Sequence, residues 1–531
     1  MAEPGSLNLA WQRVKRDQGD DLVCGDFVFE GLKHQRASVL AEIDSQLQAG
    51  GRYAPGPVAH LRAPKSALTT RPGCALTPLD RIVYHWLVDK LYPVLEPHFP
   101  PRDERVVMSY RYCGNPGSDA PVGGSHKAFK EASREMAQKG QWVVSTDLTR
   151  YFERIDHGVL VRTLESLGAA PDATGPLLGL VSSWVPGLAC GLPQSQDPSG
   201  YLATALLVGF DKSAMTRSSA YCRYTDDMVA VVPSREEAVR WLATTEKQLW
   251  EMGLALNCHK TRVESAEQHL SAKSDHQIAL ERHLDSEKAW LVAANAYGSG
   301  GEDDAEMDAI LAMVDDHDAF LSLFQEEVLA VHPSVESLRP CLREFARLNP
   351  AGALDNVLPS LDACLTVGRS LEQYLLAVLD DDPGLRAPIA DALVAQLSRR
   401  DELSDWQAMW ALHCCYRLPV VQDQLLDVVG RYVSESRRWA EPVAAHAMLL
   451  AGWDGSDETR LTMLGHAERD GRPWVAFGAI AGVQELNKRD RNSFLGRAGR
   501  ADVLADILGG CVKQGAFEEA LAARRSTSAS D

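Results

Sequence analysis

The stretch Ala220-Tyr-Cys-Arg-Tyr224-Thr-Asp226-Asp227-Met-Val-Ala-Val-Val232 decides how this chain is read. Its flanks, AYCRY and MVAVV, are rich in the β-branched and aromatic residues that suit a pleated, half-buried surface. The break between them falls at the Asp pair, residue types that favour turns, so the stretch predicts two strands joined at a tight turn. A Tyr-x-Asp-Asp alone says little, because solvated loops carry such pairs freely. Here the acids sit amid apolar strand, and burying like charges together is costly unless a cation or proton neutralises them.

Working outward, Trp142-Val-Val-Ser-Thr-Asp147-Leu148 is a short β-rich run that ends on a third carboxylate. Ser234-Arg-Glu-Glu237 has the S-x-x-E spacing of a capping box and opens a predicted helix that runs to Met252 and stops at Gly253. Leu254–Val263 is then expected to return as a strand. Strands and helices in this order predict an α+β sheet with helices on one face. Carboxylates at neighbouring strand ends suit a two-metal site for nucleotidyl transfer, with one ion activating a hydroxyl and the other gripping a triphosphate. Hard Mg2+ takes oxygen ligands, few of them from the protein, because substrate supplies the rest.

With these residues in place, the chain resembles the reverse transcriptase family through successive motifs in order. Asp147 with Phe152 is similar to the first carboxylate motif. Gly191-Leu-Pro-Gln194-Ser195 through Ser199, Leu202 and Ala203 resembles the second, Tyr224-Thr-Asp226-Asp227 the third, and Leu254-Ala-Leu-Asn257-Cys-His-Lys260-Thr261 the fourth. Upstream, Pro64-Lys65 to Arg71-Pro and Leu79-Asp-Arg81-Ile-Val-Tyr84 resemble the fingers. The resemblance covers roughly residues 50–265. It implies two Mg2+ ions, with Mn2+ as an alternative, held by Asp147, Asp226 and the backbone carbonyl of Leu148, with Asp227 as a weaker partner. It also implies that Phe152 lies under the incoming sugar and disfavours a 2′-hydroxyl. Gln194 would support the nascent pair, Lys65 and Arg71 would grip the dNTP triphosphate, and Lys260 would protonate the leaving pyrophosphate. One departure stands out: Ser195 follows Gln194 where the family usually has glycine, a residue that permits unusual dihedrals.

The formal net charge of −19 suits a nucleic-acid enzyme poorly until it is divided. Up to Ser265 there are 29 basic and 30 acidic residues, near −1; the remainder has 25 against 43, near −18. Residues 51–150 favour base by 14 to 9, so only the first half is suited to hold a polyanion. Eleven cysteines with no C-x-x-C pair indicate neither zinc site nor disulfide framework. No apolar run is long enough to span a membrane and the N-terminus has no signal-type apolar core, so a cytoplasmic protein is expected.

Beyond Ser265 the texture changes. Residues 266–304 read as a linker or thumb-like segment ending in YGSGGEDD, and residues 305–531 as helix after helix with apolar positions at three- and four-residue spacing. The expected organisation is an N-terminal helical segment (1–49), an α+β reverse-transcriptase palm and fingers (50–265), that connecting segment, and an all-α C-terminal domain, either a HEAT-like solenoid or a bundle. Fingers, palm and helical half together look like the bacterial abortive-infection and defence-associated reverse transcriptases. That likeness implies antiphage defence, a homo-oligomer formed through the helical domain, and synthesis either primed on a protein residue without template or copying a non-coding RNA. Tyr53, Tyr374, Tyr416 and Tyr432 are candidate primers only as tyrosines. Two other readings are a retron-like or intron-like enzyme doing ordinary RNA-templated synthesis, and a degenerate palm acting as an RNA- or protein-binding scaffold.

Overall fold

Strand β7 (Asp227–Val232) is buried at every position after its first residue, and this sets the architecture around it. The structure is a computed structural model that describes residues 6–17, 25–48, 53–65, 69–112, 121–122, 126–185, 187–295, 302–331, 333–418 and 423–526. Eight strands are described: β1 (Ala59–Pro64), β2 (Thr70–Ala75), β3 (Arg111–Tyr112), β4 (Pro121–Val122), β5 (Trp142–Thr146), β6 (Ala220–Tyr224), β7, and β8 (Arg262–Ser265). The last four form one antiparallel sheet in the order β6-β7-β5-β8. Register places Val144 opposite both Ala230 and Val263, so β5 and β7 are the interior strands.

Val143, Val229, Val231 and Cys222 share one face and pack with Phe129, Ala132 and Ala137 of the helix His126–Gln138. Side chains alternate across a strand, so Tyr221 points to the other face, where its ring meets Trp241 of the helix Arg235–Glu251. The sheet is therefore covered on both faces, not on one as expected. The reason is legible in Met228-Val-Ala-Val-Val232, which is apolar without alternation, as strands covered on both sides are. Ser234 caps the helix Arg235–Glu251 by accepting from Glu237 N, and Gly253 takes up φ +76 just past its end.

The strand expected over 254–263 is interrupted. Asn257 folds the chain on itself: its side-chain oxygen accepts from His259 N at 3.2 Å and its carbonyl from Lys260 N and Thr261 N at 3.1 and 2.9 Å. Such local bonds compete with strand pairing, and β8 begins only at Arg262. The following residues carry helices at Ala266–Ser271, Asp275–Leu280 and Ser286–Asn295; residues 296–301 of the expected linker lie outside the described residues.

The chain divides into two compact units. The first comprises Met1–Asp21, Asp80–Ile278 and Ser286–Met307 and contains the sheet; the second comprises Leu22–Leu79, Ala279–Asp285 and Asp308–Asp531. The second is built around the helix Glu441–Asp454, buried from Pro442 to Trp453, as a helix apolar on all sides must be. The helices Asp405–Arg417, Asp423–Ser434 and Pro473–Gly482 surround it. The β1–β2 hairpin belongs to this unit, with β1 packed on Asp405–Arg417 and Glu441–Asp454, and Trp474 Nε1 donating to Pro57 O at 3.1 Å. Among the described residues no helix is long and apolar enough to cross a membrane.

Candidate active site

Asp147 stands one residue past the end of β5 and is held there by the loop that precedes β8. Asn257 N donates to the Asp147 carbonyl at 2.7 Å, and Asn257 Nδ2 to Asp147 Oδ2 at 2.9 Å. Thr149 N donates to Ala255 O at 2.9 Å, so Leu148 faces Leu256 between two flanking bonds and its own carbonyl points away from that partner. Lys260 Nζ lies 3.2 Å from Asp147 Oδ1 and 4.0 Å from Asp227 Oδ1. One short loop thus supplies both a neutral and a cationic partner to this carboxylate.

The other two carboxylates sit at the β6–β7 hairpin. Tyr224 pairs with Asp227, leaving Thr225 and Asp226 as a two-residue turn. Thr225 has φ 52, a left-handed conformation that is an outlier for a β-branched residue and costs on the order of 1–3 kcal/mol. It is held by Ser109 Oγ, which accepts from its N–H, and by Arg223 Nη1, which donates to its carbonyl, both at 2.8 Å. Arg223 is fully buried and forms a two-point pair with Asp211 at 2.7 and 2.6 Å. Burial works against that guanidinium's charge, but Asp211 more than offsets it and holds its pKa above the ordinary value.

Electrostatically the three acids behave as one cluster. Burial, then Asp227 and Asp147, push the Asp226 carboxyl well above the usual range. Asp227 is also raised, by burial and by its hydrogen bond to Asp147, while Lys260 and Lys130 oppose the rise. Burial disfavours the Lys260 ammonium, yet Asp227 and Asp147 outweigh it and raise its pKa. His126 Nε2 lies 4.0 Å from Asp227 Oδ2, and burial beside Lys130 lowers that imidazole to about 4. Clustered oxygen donors whose charge is costly to bury without a cation fit a hard divalent ion. Among the described residues no group of three or more His, Cys, Asp or Glu side chains is arranged to hold a metal ion by itself.

Two further expected residues are tied together by backbone. Leu192 N donates to the Phe152 carbonyl, and Gly191 N to Ile155 O, both at 2.9 Å. His157 Nε2 meets the Gly191 carbonyl at 2.7 Å and fixes the start of the loop. Phe152 and Gln194 are therefore set on adjoining segments, each half-buried. Ser195 has φ 58, so the backbone form that glycine would favour is kept with a serine in it. The motifs also meet at Tyr84, whose hydroxyl lies 2.9 Å from Ser199 Oγ. Lys65 follows the last residue of β1 and Arg71 lies in β2, both in the second unit; Lys65 is exposed, and Arg71 is half-buried opposite Ala63. Of the tyrosines, Tyr374, Tyr416 and Tyr432 are buried, and Tyr374 and Tyr432 donate to the carbonyls of Pro350 and Leu397 at 2.7 and 3.0 Å. Tyr53 is half-buried.

Sequence reasoning missed Asn257 as a partner of Asp147, and Arg223, Asp211, Ser109 and His126 around the hairpin. One signal was available: an arginine inside AYCRY is out of place in a buried strand unless a carboxylate awaits it. For Ser109 and His126 the sequence carries no comparable mark.

Residues 63–286 match the family described as "Reverse transcriptase (RNA-dependent DNA polymerase)", so the chain carries a reverse transcriptase domain. Comparison with curated protein sequences finds no match. Among solved structures, the apo telomerase of Candida tropicalis is similar at TM-score 0.30 and 10% identity, covering 64% of this chain and 70% of that one. The telomerase of Candida albicans, in complex with the TWJ fragment of telomeric RNA, is similar at TM-score 0.29 and 12% identity, covering 70% and 69%.

Proposed function

We propose that the chain is a DNA polymerase of the reverse transcriptase type that acts in bacterial antiphage defence. The observation that carries the polymerase reading is the meeting of Asp147, Asp226 and Asp227 at adjoining strand ends beside Lys260, within the stretch matched to the reverse transcriptase family. Asp147, Asp226 and the Leu148 carbonyl would hold two Mg2+ or Mn2+ ions, with Asp227 beside them. When bound, these ions supply activation of the attacking hydroxyl and neutralisation of the triphosphate. Asn257 keeps Asp147 in one orientation. Lys260, held protonated by its two acids, is placed to give a proton to the departing pyrophosphate. Phe152 presses under the sugar and Gln194 supports the base pair.

The defence role rests on the four motifs followed by a long acidic helical region, the combination that resembles the abortive-infection enzymes. In this reading the protein is cytoplasmic, oligomerises through a HEAT-like helical domain, and makes DNA either primed on a protein residue or copied from a non-coding RNA. The test is to incubate purified protein with Mg2+ and each labelled dNTP, adding neither template nor primer, alongside Asp226→Ala/Asp227→Ala. Label that stays on the protein until proteolysis is expected for protein priming, and its loss after nuclease treatment of the stock for an RNA template. If the double variant incorporates label as well as the parent does, with or without added primer-template, the polymerase site is wrong and the scaffold reading takes its place.

A further inference from the structure

The turn that carries Asp226 is strained, and it is pinned on both sides of the strained residue. Thr225 keeps φ 52 while its N–H donates to Ser109 Oγ and its carbonyl accepts from Arg223 Nη1, both at 2.8 Å. Neither anchor is loose. Ser109 is fully buried, at the end of a segment laid along β6: Arg223 N donates to Val106 O at 2.7 Å, and Met108 N to Arg223 O at 3.0 Å. The Arg223 guanidinium is fixed by Asp211 at 2.7 and 2.6 Å, and the Tyr221 hydroxyl adds a bond to the same carboxylate at 2.9 Å.

We infer that Ser109 and Arg223 are positioning residues, a clamp that holds the Thr225 turn in its left-handed form and so fixes the direction in which Asp226 presents its carboxylate. A threonine released from the clamp returns to negative φ, where β-branched residues rest. That change rotates the peptide joining Thr225 to Asp226 and turns the carboxylate away from Asp147. The inference rests on the reading of Asp226 as a metal ligand. Groups that orient ligands in this way set metal affinity by about 10- to 100-fold.

Arg223 is buried against Asp211, so its removal risks the fold; Ser109→Ala deletes one hydroxyl and is the variant of choice. Binding of Mn2+ to the protein, followed by electron paramagnetic resonance, is expected to weaken about tenfold. Half-saturating Mg2+ for dNTP incorporation is expected to rise in step. Glycine enters the left-handed region unaided, so Ser109→Ala/Thr225→Gly is expected to recover most of the lost affinity. Unchanged Mn2+ binding in Ser109→Ala, when Asp226→Ala abolishes it, overturns the clamp. Weakened binding that Thr225→Gly does not restore overturns it too, since the loss then arises outside the turn. If Asp226→Ala itself binds Mn2+ and incorporates dNTP like the parent, the failure lies in the assignment of Asp226, and the comparison with Ser109→Ala tells the two apart.

Discussion

At position 195 a serine holds a backbone angle that glycine holds at no steric cost: φ is 58. Ser195→Gly removes a left-handed penalty of roughly 1–2 kcal/mol and adds about 0.5–1 kcal/mol of unfolded-state entropy. A net gain of up to about 1.5 kcal/mol in urea unfolding is expected from those opposing effects; a loss would mean that the serine side chain earns its place by a contact. Phe152 is half-buried beside the loop that carries Gln194, and its proposed place is under the incoming sugar. Phe152→Ala is expected to lower the ratio of dNTP to rNTP kcat/KM at least about tenfold, ~1.4 kcal/mol of discrimination. An unchanged ratio would remove the gate role. Residue identities at strand ends were legible because carboxylates in apolar surroundings are costly and so conspicuous. The bond from Asn257 to Asp147 was not, because it joins residues 110 apart and nothing local requires it.

At the scale of elements, sequence shows which segments form and leaves open how closely they approach. The helix Pro473–Gly482 crosses Glu441–Asp454 so tightly that a Cβ on Gly478 would lie 2.2 Å from the Ala445 carbonyl oxygen. Gly478→Ala forces two backbones apart and is expected to cost about 1–3 kcal/mol in unfolding experiments. Gly496, inside the helix Lys488–Ala498, has nothing within 4 Å of its would-be Cβ. There the same substitution is expected to stabilise by about 0.5–1 kcal/mol, through helix propensity alone. Equal effects at both sites would refute the close crossing. In sequence the two glycines look alike, since each simply interrupts a helical pattern. The same limit explains the segment 254–261: its apolar spacing reads as strand, and only the turn at Asn257 shows why pairing waits until Arg262.

For the whole molecule, charge is the property most legible in sequence and least informative about individual groups. The surplus of acid beyond Ser265 tells nothing of Glu372, which is buried on the helix Gly368–Asp381. Arg417 Nε lies 2.9 Å from one of its oxygens, and His413 Nε2 and Arg369 Nη1 lie 3.4 and 3.8 Å from the other. Burial pushes this carboxyl up, but His413, Arg369 and Arg417 more than reverse the effect and hold it at about 2 against an ordinary 4.5. A carboxyl depressed in the folded state binds fewer protons there than in the unfolded chain at intermediate pH. Its contribution is therefore full above pH 4.5 and is lost as pH falls toward about 2. Its size is on the order of 3 kcal/mol. Many other carboxylates titrate in the same window, so the difference between parent and Glu372→Gln isolates this one. Glutamine mimics the protonated acid in shape. The parent is expected to be more stable than Glu372→Gln by about 3 kcal/mol at neutral pH, and the gap should close toward zero near pH 2. A gap that stays constant across that range in urea titrations would mean that the four side chains are held by packing, with no net gain from the carboxylate's charge.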